Sequence, residues 1–191
     1  ALGLMNFTFY SSLAHLPIGV AVTIEFIGPL SLAAALSRRW LDAVAVAAAA
    51  AGVVLISEAL STPFADLEKT GIALALLAGA FWAAYIVLAG RTGGEFPKLE
   101  GLALAMVVAT VVTLPLGITS APSWSPDILL KAFGIAVLSS VLPYSLELLA
   151  LRRLSAKVFG ILLSLEPAFA ALAGLLVLGQ VLSPTQLVGM A

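Results

Sequence analysis

Long runs of apolar residues without a charge restrict the fold of this chain more than any other feature. A helix that spans a bilayer needs roughly 17–25 predominantly apolar residues, and runs of about that length recur throughout the sequence. Their apolar residues are continuous rather than alternating, which favours helices over a β-barrel. Only 10% of the 191 residues are charged, whereas a soluble domain carries about 25%. The sequence therefore predicts an all-α membrane protein.

The apolar runs predict seven membrane helices and the start of an eighth. They lie at about 1–14, 17–36, 41–57, 70–90, 98–118, 128–150, 155–178 and from about 183 onward. The chain begins at Ala1 and stops at Ala191 within apolar runs. We therefore expect it to be part of a longer polytopic protein.

Basic residues predict the orientation of these helices. Seven of the nine lysines and arginines fall in alternate connections, namely Arg38, Arg39, Arg91, Lys98, Arg152, Arg153 and Lys157. Short cytoplasmic loops carry an excess of lysine and arginine. The three basic connections are therefore predicted to be cytoplasmic.

A shift of the sequence by 138 residues superimposes its pattern of apolar runs and prolines on itself. It places 1–14 on 139–152 and 17–36 on 155–174, and it aligns Pro29 with Pro167. The alignment of two intramembrane prolines is informative because proline interrupts helical hydrogen bonding at a cost. The repeat unit contains five helices, so its two copies cross the membrane in opposite directions, as in many secondary transporters.

The repeat predicts how this chain fits into the complete bundle. Ten helices are expected in two inverted five-helix repeats, of which about seven and a half are present here. Residues 1–60 are predicted to be the C-terminal part of the first repeat. Residues 68–191 are predicted to be the second repeat, truncated in its last helix.

Three intramembrane glutamates, Glu25, Glu166 and Glu147, are the main candidates for binding a substrate or a proton. An ionised carboxylate at mid-bilayer costs roughly 2.5–3.5 kcal/mol on insertion scales. Each glutamate is therefore expected to be protonated, paired or turned toward a water-filled cavity. The alternative is a structural bond to a neighbouring helix, and Glu147 could also pair with Arg152 or Arg153 near the cytoplasmic end.

Two prolines predict helix breaks beside these carboxyls. Pro29 removes the helical hydrogen bond to the carbonyl of Glu25, and Pro167 does the same to the carbonyl of Leu163. Backbone acceptors freed in this way could bind a substrate ammonium group. A plain kink without a binding role remains the alternative for both prolines.

Further polar and aromatic side chains are weaker candidates. Asn6 and Tyr144 could hydrogen-bond a substrate, as could Tyr10 and Tyr85. Phe26 could wall the pocket, although packing is the more frequent role of such an aromatic side chain.

Several functions are disfavoured by the composition. The chain has no cysteine and one histidine, His15, in a predicted solvated loop, so no metal site, catalytic triad or cofactor is expected. An intramembrane enzyme would need a nucleophile–base pair or metal ligands within its helices. A net charge of −1 provides no basic surface for nucleic acid. A non-transporting scaffold would not need glutamates at mid-membrane in both halves.

Particular stretches resemble a known family, the EamA-type transporters of the drug/metabolite transporter superfamily. They are IEFIGPL at 24–30, SRRW at 37–40, LPYSLE at 142–147, LRRL at 151–154 and SLEPA at 164–168. The Leu-Glu-Pro step is common in the superfamily. The stretches around Glu25 and Glu147 are more similar to the threonine and homoserine exporter branch.

The resemblance implies a function. It implies two inverted EamA repeats and proton-driven export of threonine and homoserine across a bacterial inner membrane. The expected partners are a small amino acid, a proton and the lipid bilayer, with a homodimer left open. Export of another metabolite or a drug by the same fold is the alternative.

Overall fold

The computed structural model describes residues 1–61, 63, 67–96, 99–118, 124–179 and 181–190, and these residues contain helices and no strand. Ten α-helices are described there: α1 Leu2–Ser12, α2 Ile18–Ala35, α3 Trp40–Ile56, α4 Lys69–Glu95, α5 Glu100–Gly117, α6 Pro126–Ala136, α7 Leu142–Leu151, α8 Ala156–Leu162, α9 Glu166–Leu178 and α10 Pro184–Gly189. The predicted all-helical class is confirmed. Lys98 and Ala191 lie outside the described residues.

Serine side chains determine where several of these helices begin. Ser125, Ser155 and Ser183 each accept a hydrogen bond from a backbone N–H of the following first turn. A serine at this position satisfies one of the backbone donors that a helix leaves without an internal partner. These caps place the starts of α6, α8 and α10 close to the predicted boundaries.

Four helical segments in the described residues are long and apolar enough to cross a membrane: Ile18–Ala35, Lys69–Arg91, Pro126–Leu151 and Ala156–Val177. Trp40–Ile56 and Glu100–Pro115 are shorter apolar helices. The third of the long segments is composite, because the π-helical turn Val137–Val141 joins α6 to α7. The fourth joins α8 to α9 through the 3₁₀ turn Leu163–Leu165. The fold is that of a multi-pass membrane protein.

The proline-containing helices differ from each other. The 3₁₀ turn that separates α8 from α9 lies directly before Glu166 and Pro167, as expected where proline cannot donate a helical hydrogen bond. In contrast, α2 continues as an α-helix through Pro29. Pro143 follows the π-helical turn, which the sequence analysis did not predict.

Small residues bring α2 and α4 into close contact. Ala21 of α2 and Ala75 and Ala78 of α4 are fully buried. A Cβ at Gly28 would collide with the carbonyl of Gly79, so the two backbones touch at this crossing. Glycine and alanine allow such an approach between membrane helices.

Helices that are equivalent under the 138-residue shift contact each other. Asn6 of α1 donates a hydrogen bond to the Tyr144 hydroxyl of α7 at 3.1 Å, and the two residues are 138 positions apart. α2 packs against α8. Contacts of this kind are expected along a two-fold axis that relates the repeats.

The contacts between α3 and α10 also fit an inverted repeat. Ser183 at the start of α10 donates to Glu58 just after α3, while Gly189 at the end of α10 lies against Gly52 within α3. The residue numbers rise along one helix as they fall along the other, so the two helices are antiparallel. A repeat of five helices requires this relation between equivalent helices.

Candidate substrate and proton site

Glu25 is a buried acidic residue in the middle of the helix bundle. It belongs to α2, and its side chain is 7% exposed. The carboxyl of Glu166 and the hydroxyl of Tyr144 lie within electrostatic range of it. Glu25 therefore occupies the contact region between the two halves of the chain.

Glu147 and Glu166 share one groove of about 690 Å³, which Pro143, Phe159 and Leu163 also line. Glu166 is exposed in the first turn of α9, and Glu147 is half-buried on α7. The two carboxyls are within electrostatic range of each other. A groove with two acidic groups in an otherwise apolar wall suits a small cation.

Asn6 and Tyr144 form a polar contact beside these carboxyls. The side-chain amide of Asn6 also donates to the carbonyl of Leu2, at 3.2 Å. Tyr144 is 8% exposed, and its ring meets that of Tyr85 edge-on with 5.8 Å between centroids. The structure thus brings Asn6 and Tyr144 to the glutamates, while Tyr10 is exposed on α1.

Phe26 lies in the apolar core. It is 3% exposed, and its ring contacts that of Trp82 in a T-shaped arrangement with 4.9 Å between centroids. Aromatic pairs in this geometry add about 0.5–1.5 kcal/mol beyond the area that they bury. The described contacts of Phe26 therefore indicate a packing role, in which its side chain supports the neighbouring Glu25.

The backbone carbonyl that Pro29 frees does not point into open space. A Cβ built on Gly79 would lie 2.5 Å from the carbonyl oxygen of Glu25, so this oxygen rests against the Gly79 backbone of α4. Contacts between Cα–H groups and carbonyl oxygens are common where helices pack closely. The sequence analysis predicted that the backbone carbonyl of Glu25 could accept a hydrogen bond from the substrate. In this structure the carbonyl instead forms part of the contact between α2 and α4.

The charged neighbours of Glu25 and Glu147 in the described part of the chain are carboxyls rather than cations. Lys157 pairs with Asp42 at 2.9 Å. Arg152, which the sequence suggested as a partner of Glu147, donates to the carbonyl of Phe96 at 2.9 Å. Glu166 is within electrostatic range of both Glu25 and Glu147. We call these three glutamates the acidic cluster, which a bound cation or proton would stabilise.

Two contacts in this region were not predicted. Tyr85 of α4 lies beside Glu147, whereas the sequence analysis named Tyr85 only as a side chain that could hydrogen-bond a substrate. The Asp42–Lys157 pair joins α3 to α8 across 115 positions. Neither contact has a signal within a single helix, because each depends on how two distant helices are rotated toward each other.

Comparison with known proteins finds similarity to transporters. The EamA-like transporter family matches residues 69–191. The chain is 40% identical over 192 residues to "Threonine/homoserine exporter RhtA" of Escherichia coli (strain K12) and to the protein of the same name from Salmonella typhimurium (strain LT2). Each alignment covers 100% of this chain and 64% of the relative.

A search of solved structures finds no match to this chain. The family match covers more than half of the chain, and the likeness to the two exporters extends over all of it. The chain therefore belongs to the EamA-like transporter family.

Proposed function

We propose that this chain is part of a secondary active transporter that exports small amino acids, threonine and homoserine, from the cytoplasm by proton antiport. The observation that carries the proposal is the cluster of Glu25, Glu147 and Glu166, which come from three separate helical segments. Their charged neighbours are acidic. The names of the 40%-identical relatives support threonine and homoserine as the cargo.

The acidic cluster provides a physical basis for coupling. Two ionised carboxylates within electrostatic range repel each other, and an ammonium group or a proton relieves that repulsion. An exposed carboxyl on a membrane helix, such as Glu166, is costly against hydrocarbon, so we expect the groove to open toward a water-filled cavity. An amino acid enters through its ammonium group and competes there with protons.

Competition for the same carboxyls makes exchange obligatory. A ligand shifts the balance between inward-open and outward-open states only by its different affinity for the two. In the proposed cycle, Glu25 or Glu166 binds the substrate ammonium on the cytoplasmic side. A proton from the opposite side of the membrane then replaces the substrate on the carboxyl. It stays bound while the transporter returns to the inward-open state.

Efflux of labelled threonine from cells that express the full-length protein tests this function. Glu25→Gln and Glu166→Gln each keep the size of the side chain and remove its charge. Export is expected to fall about tenfold or more, because a hydrogen bond to a charged group contributes roughly 1.5–3 kcal/mol. Immunoblots of the membrane fraction check that each variant is inserted.

Glu100→Gln is the matched control, because Glu100 is an exposed glutamate at the start of α5. It is expected to export like the parent. Export by both cluster variants at the level of Glu100→Gln would refute the role of the acidic cluster.

Export of another metabolite or of a drug is the second candidate, because the groove wall is mostly apolar. A competition panel separates the two. Excess unlabelled homoserine should reduce threonine efflux if the cargo is a small amino acid, whereas hydrophobic cations should do so if the site accepts drugs.

The cellular setting is part of the same proposal. We place the protein in the bacterial inner membrane, with the connections that hold Arg38, Arg91 and Arg152 in the cytoplasm. Residues 1–60 and 68–191 are taken as parts of the two inverted repeats. Accessibility of single cysteines introduced into these connections tests the orientation, and light scattering of the purified full-length protein tests for a homodimer.

A further inference from the structure

Tyr85 and Glu147 present an unusual pair of polar atoms inside the bundle. Within the described residues, the Tyr85 hydroxyl and the Oε2 atom of Glu147 are buried and have no hydrogen-bond partner. The great majority of buried polar atoms in proteins are hydrogen-bonded, so each exception needs a physical reason. Tyr85 is 6% exposed, which leaves its hydroxyl little access to solvent.

The two groups face each other across the contact between α4 and α7. The Tyr85 ring meets that of Tyr144, and Glu147 lies three residues after Tyr144 on the same face of α7. Leu148, also on this face, belongs to the buried cluster that contains Tyr85. The hydroxyl and the carboxyl are close enough to interact, although neither the Tyr85 hydroxyl nor Oε2 of Glu147 has a hydrogen-bond partner in this structure.

The remaining surroundings of Glu147 contain no compensating cation in the described part of the chain. The elements packed against this part of α7 present Glu166 from α9, Phe159 from α8, Leu102 from α5 and Asn6 from α1. Arg152, at the end of α7, donates to the carbonyl of Phe96. An ionised Glu147 would thus have the Tyr85 hydroxyl as its nearby donor.

We infer that Tyr85 and Glu147 form a second proton-binding site, in addition to the carboxyls of Glu25 and Glu166 at which the substrate ammonium and protons compete. This inference rests on the proposed antiport. In the ionised state of Glu147, a small rotation lets the Tyr85 hydroxyl donate to Oε2. In the neutral state, Glu147 carries a proton taken from water on one side of the membrane and later released on the other. Tyr85 keeps its own proton throughout and acts as a positioning residue.

Infrared spectroscopy of the purified full-length protein tests the pair without any substrate. The C=O stretch of the protonated Glu147 carboxyl is identified as the band that Glu147→Gln removes. Tyr85→Phe deletes one oxygen atom and keeps the ring that packs on Tyr144. This variant should shift the band, while Glu100→Gln, a change at an exposed glutamate of α5, should leave it in place.

The pH profile of transport in cells is a second readout, which would not change if Tyr85 had a purely structural role. Tyr85→Phe should change the pH profile of threonine efflux and lower the maximal rate about tenfold, in line with the loss of a hydrogen bond to a charged group. The KM for threonine should stay near that of the parent, and Glu100→Gln should behave like the parent in its pH profile and its maximal rate.

Two results would overturn the inference. One is an unchanged Glu147 band in Tyr85→Phe, which decides against the pair whether or not the parent exports threonine. The other is a raised KM with the pH profile of the parent, which would make Tyr85 a substrate contact. If the parent exports no threonine, the proposed cargo fails while the infrared result still decides the proton pair.

Discussion

The crossing of α2 and α4 makes a quantitative prediction about Gly79. A Cβ added at this position would lie 2.5 Å from the Glu25 carbonyl oxygen and 3.2 Å from the backbone nitrogen of Gly28. A comfortable carbon–oxygen contact is about 3.3–3.6 Å, so in Gly79→Ala the two helices must separate by roughly 1 Å. Both obstructing atoms belong to the backbone, and no flexible side chain can rotate away.

This separation should be costly for stability. Overpacking a well-packed interior costs about 1–3 kcal/mol, and we expect Gly79→Ala near the upper end because the obstructing atoms are rigid. The higher helix propensity of alanine offsets at most about 1 kcal/mol. The separation of α2 and α4 also moves Glu25, because its carbonyl is the obstructing group. Threonine export should therefore fall together with stability.

The assay is the free energy of unfolding of the full-length protein in a detergent titration, measured beside threonine efflux. Gly90→Ala is the matched control on the same helix, because a Cβ at Gly90 would meet nothing within 4 Å. It should be neutral or slightly stabilising. If Gly79→Ala unfolds at the same detergent fraction as Gly90→Ala and exports normally, the close contact of α2 and α4 is refuted.

Three further substitutions test contacts between the halves. In Gly160→Ala, the new Cβ would lie 3.0 Å from the carbonyl oxygen of Pro29. We expect a smaller loss in the free energy of unfolding, about 1 kcal/mol, in the same titration. A gain in stability would contradict the contact between α2 and α8. Asp42→Asn and Lys157→Met should each lower the unfolding midpoint, and the double variant should lose less than the sum of the two, because the residues form one ion pair. Strict additivity would show that the pair contributes nothing.

Much of the fold could be predicted from the sequence. The predicted boundaries of 17–36 and 41–57 lie within about one residue of α2 and α3, because hydropathy and proline act locally along the chain. The 138-residue shift aligned 1–14 with 139–152, and the bond between Asn6 and Tyr144 joins positions that are equivalent under this shift. The family followed from the same local stretches.

The candidate site was predictable only in part. An acidic residue within an apolar run is visible in the sequence, so Glu25, Glu147 and Glu166 were identified as candidates. Their different environments were not visible: Glu25 is buried, whereas Glu166 is exposed in a groove. Sequence alone does not show the rotation of a helix about its axis, and this rotation determines which group each carboxyl faces.

That this chain forms a bundle of membrane helices follows from its amino-acid sequence, because a chain with 62% hydrophobic residues and long uncharged runs has few other ways to satisfy its backbone in lipid. The contact of the carbonyl freed by Pro29 with Gly79, and that of Tyr85 with Glu147, depend instead on how the helices pack. The two kinds of feature differ in the range of the interactions that produce them. Insertion into a bilayer depends on the composition of each segment, whereas a contact between two helices depends on crossing angle, rotation and depth, which only the packed bundle defines.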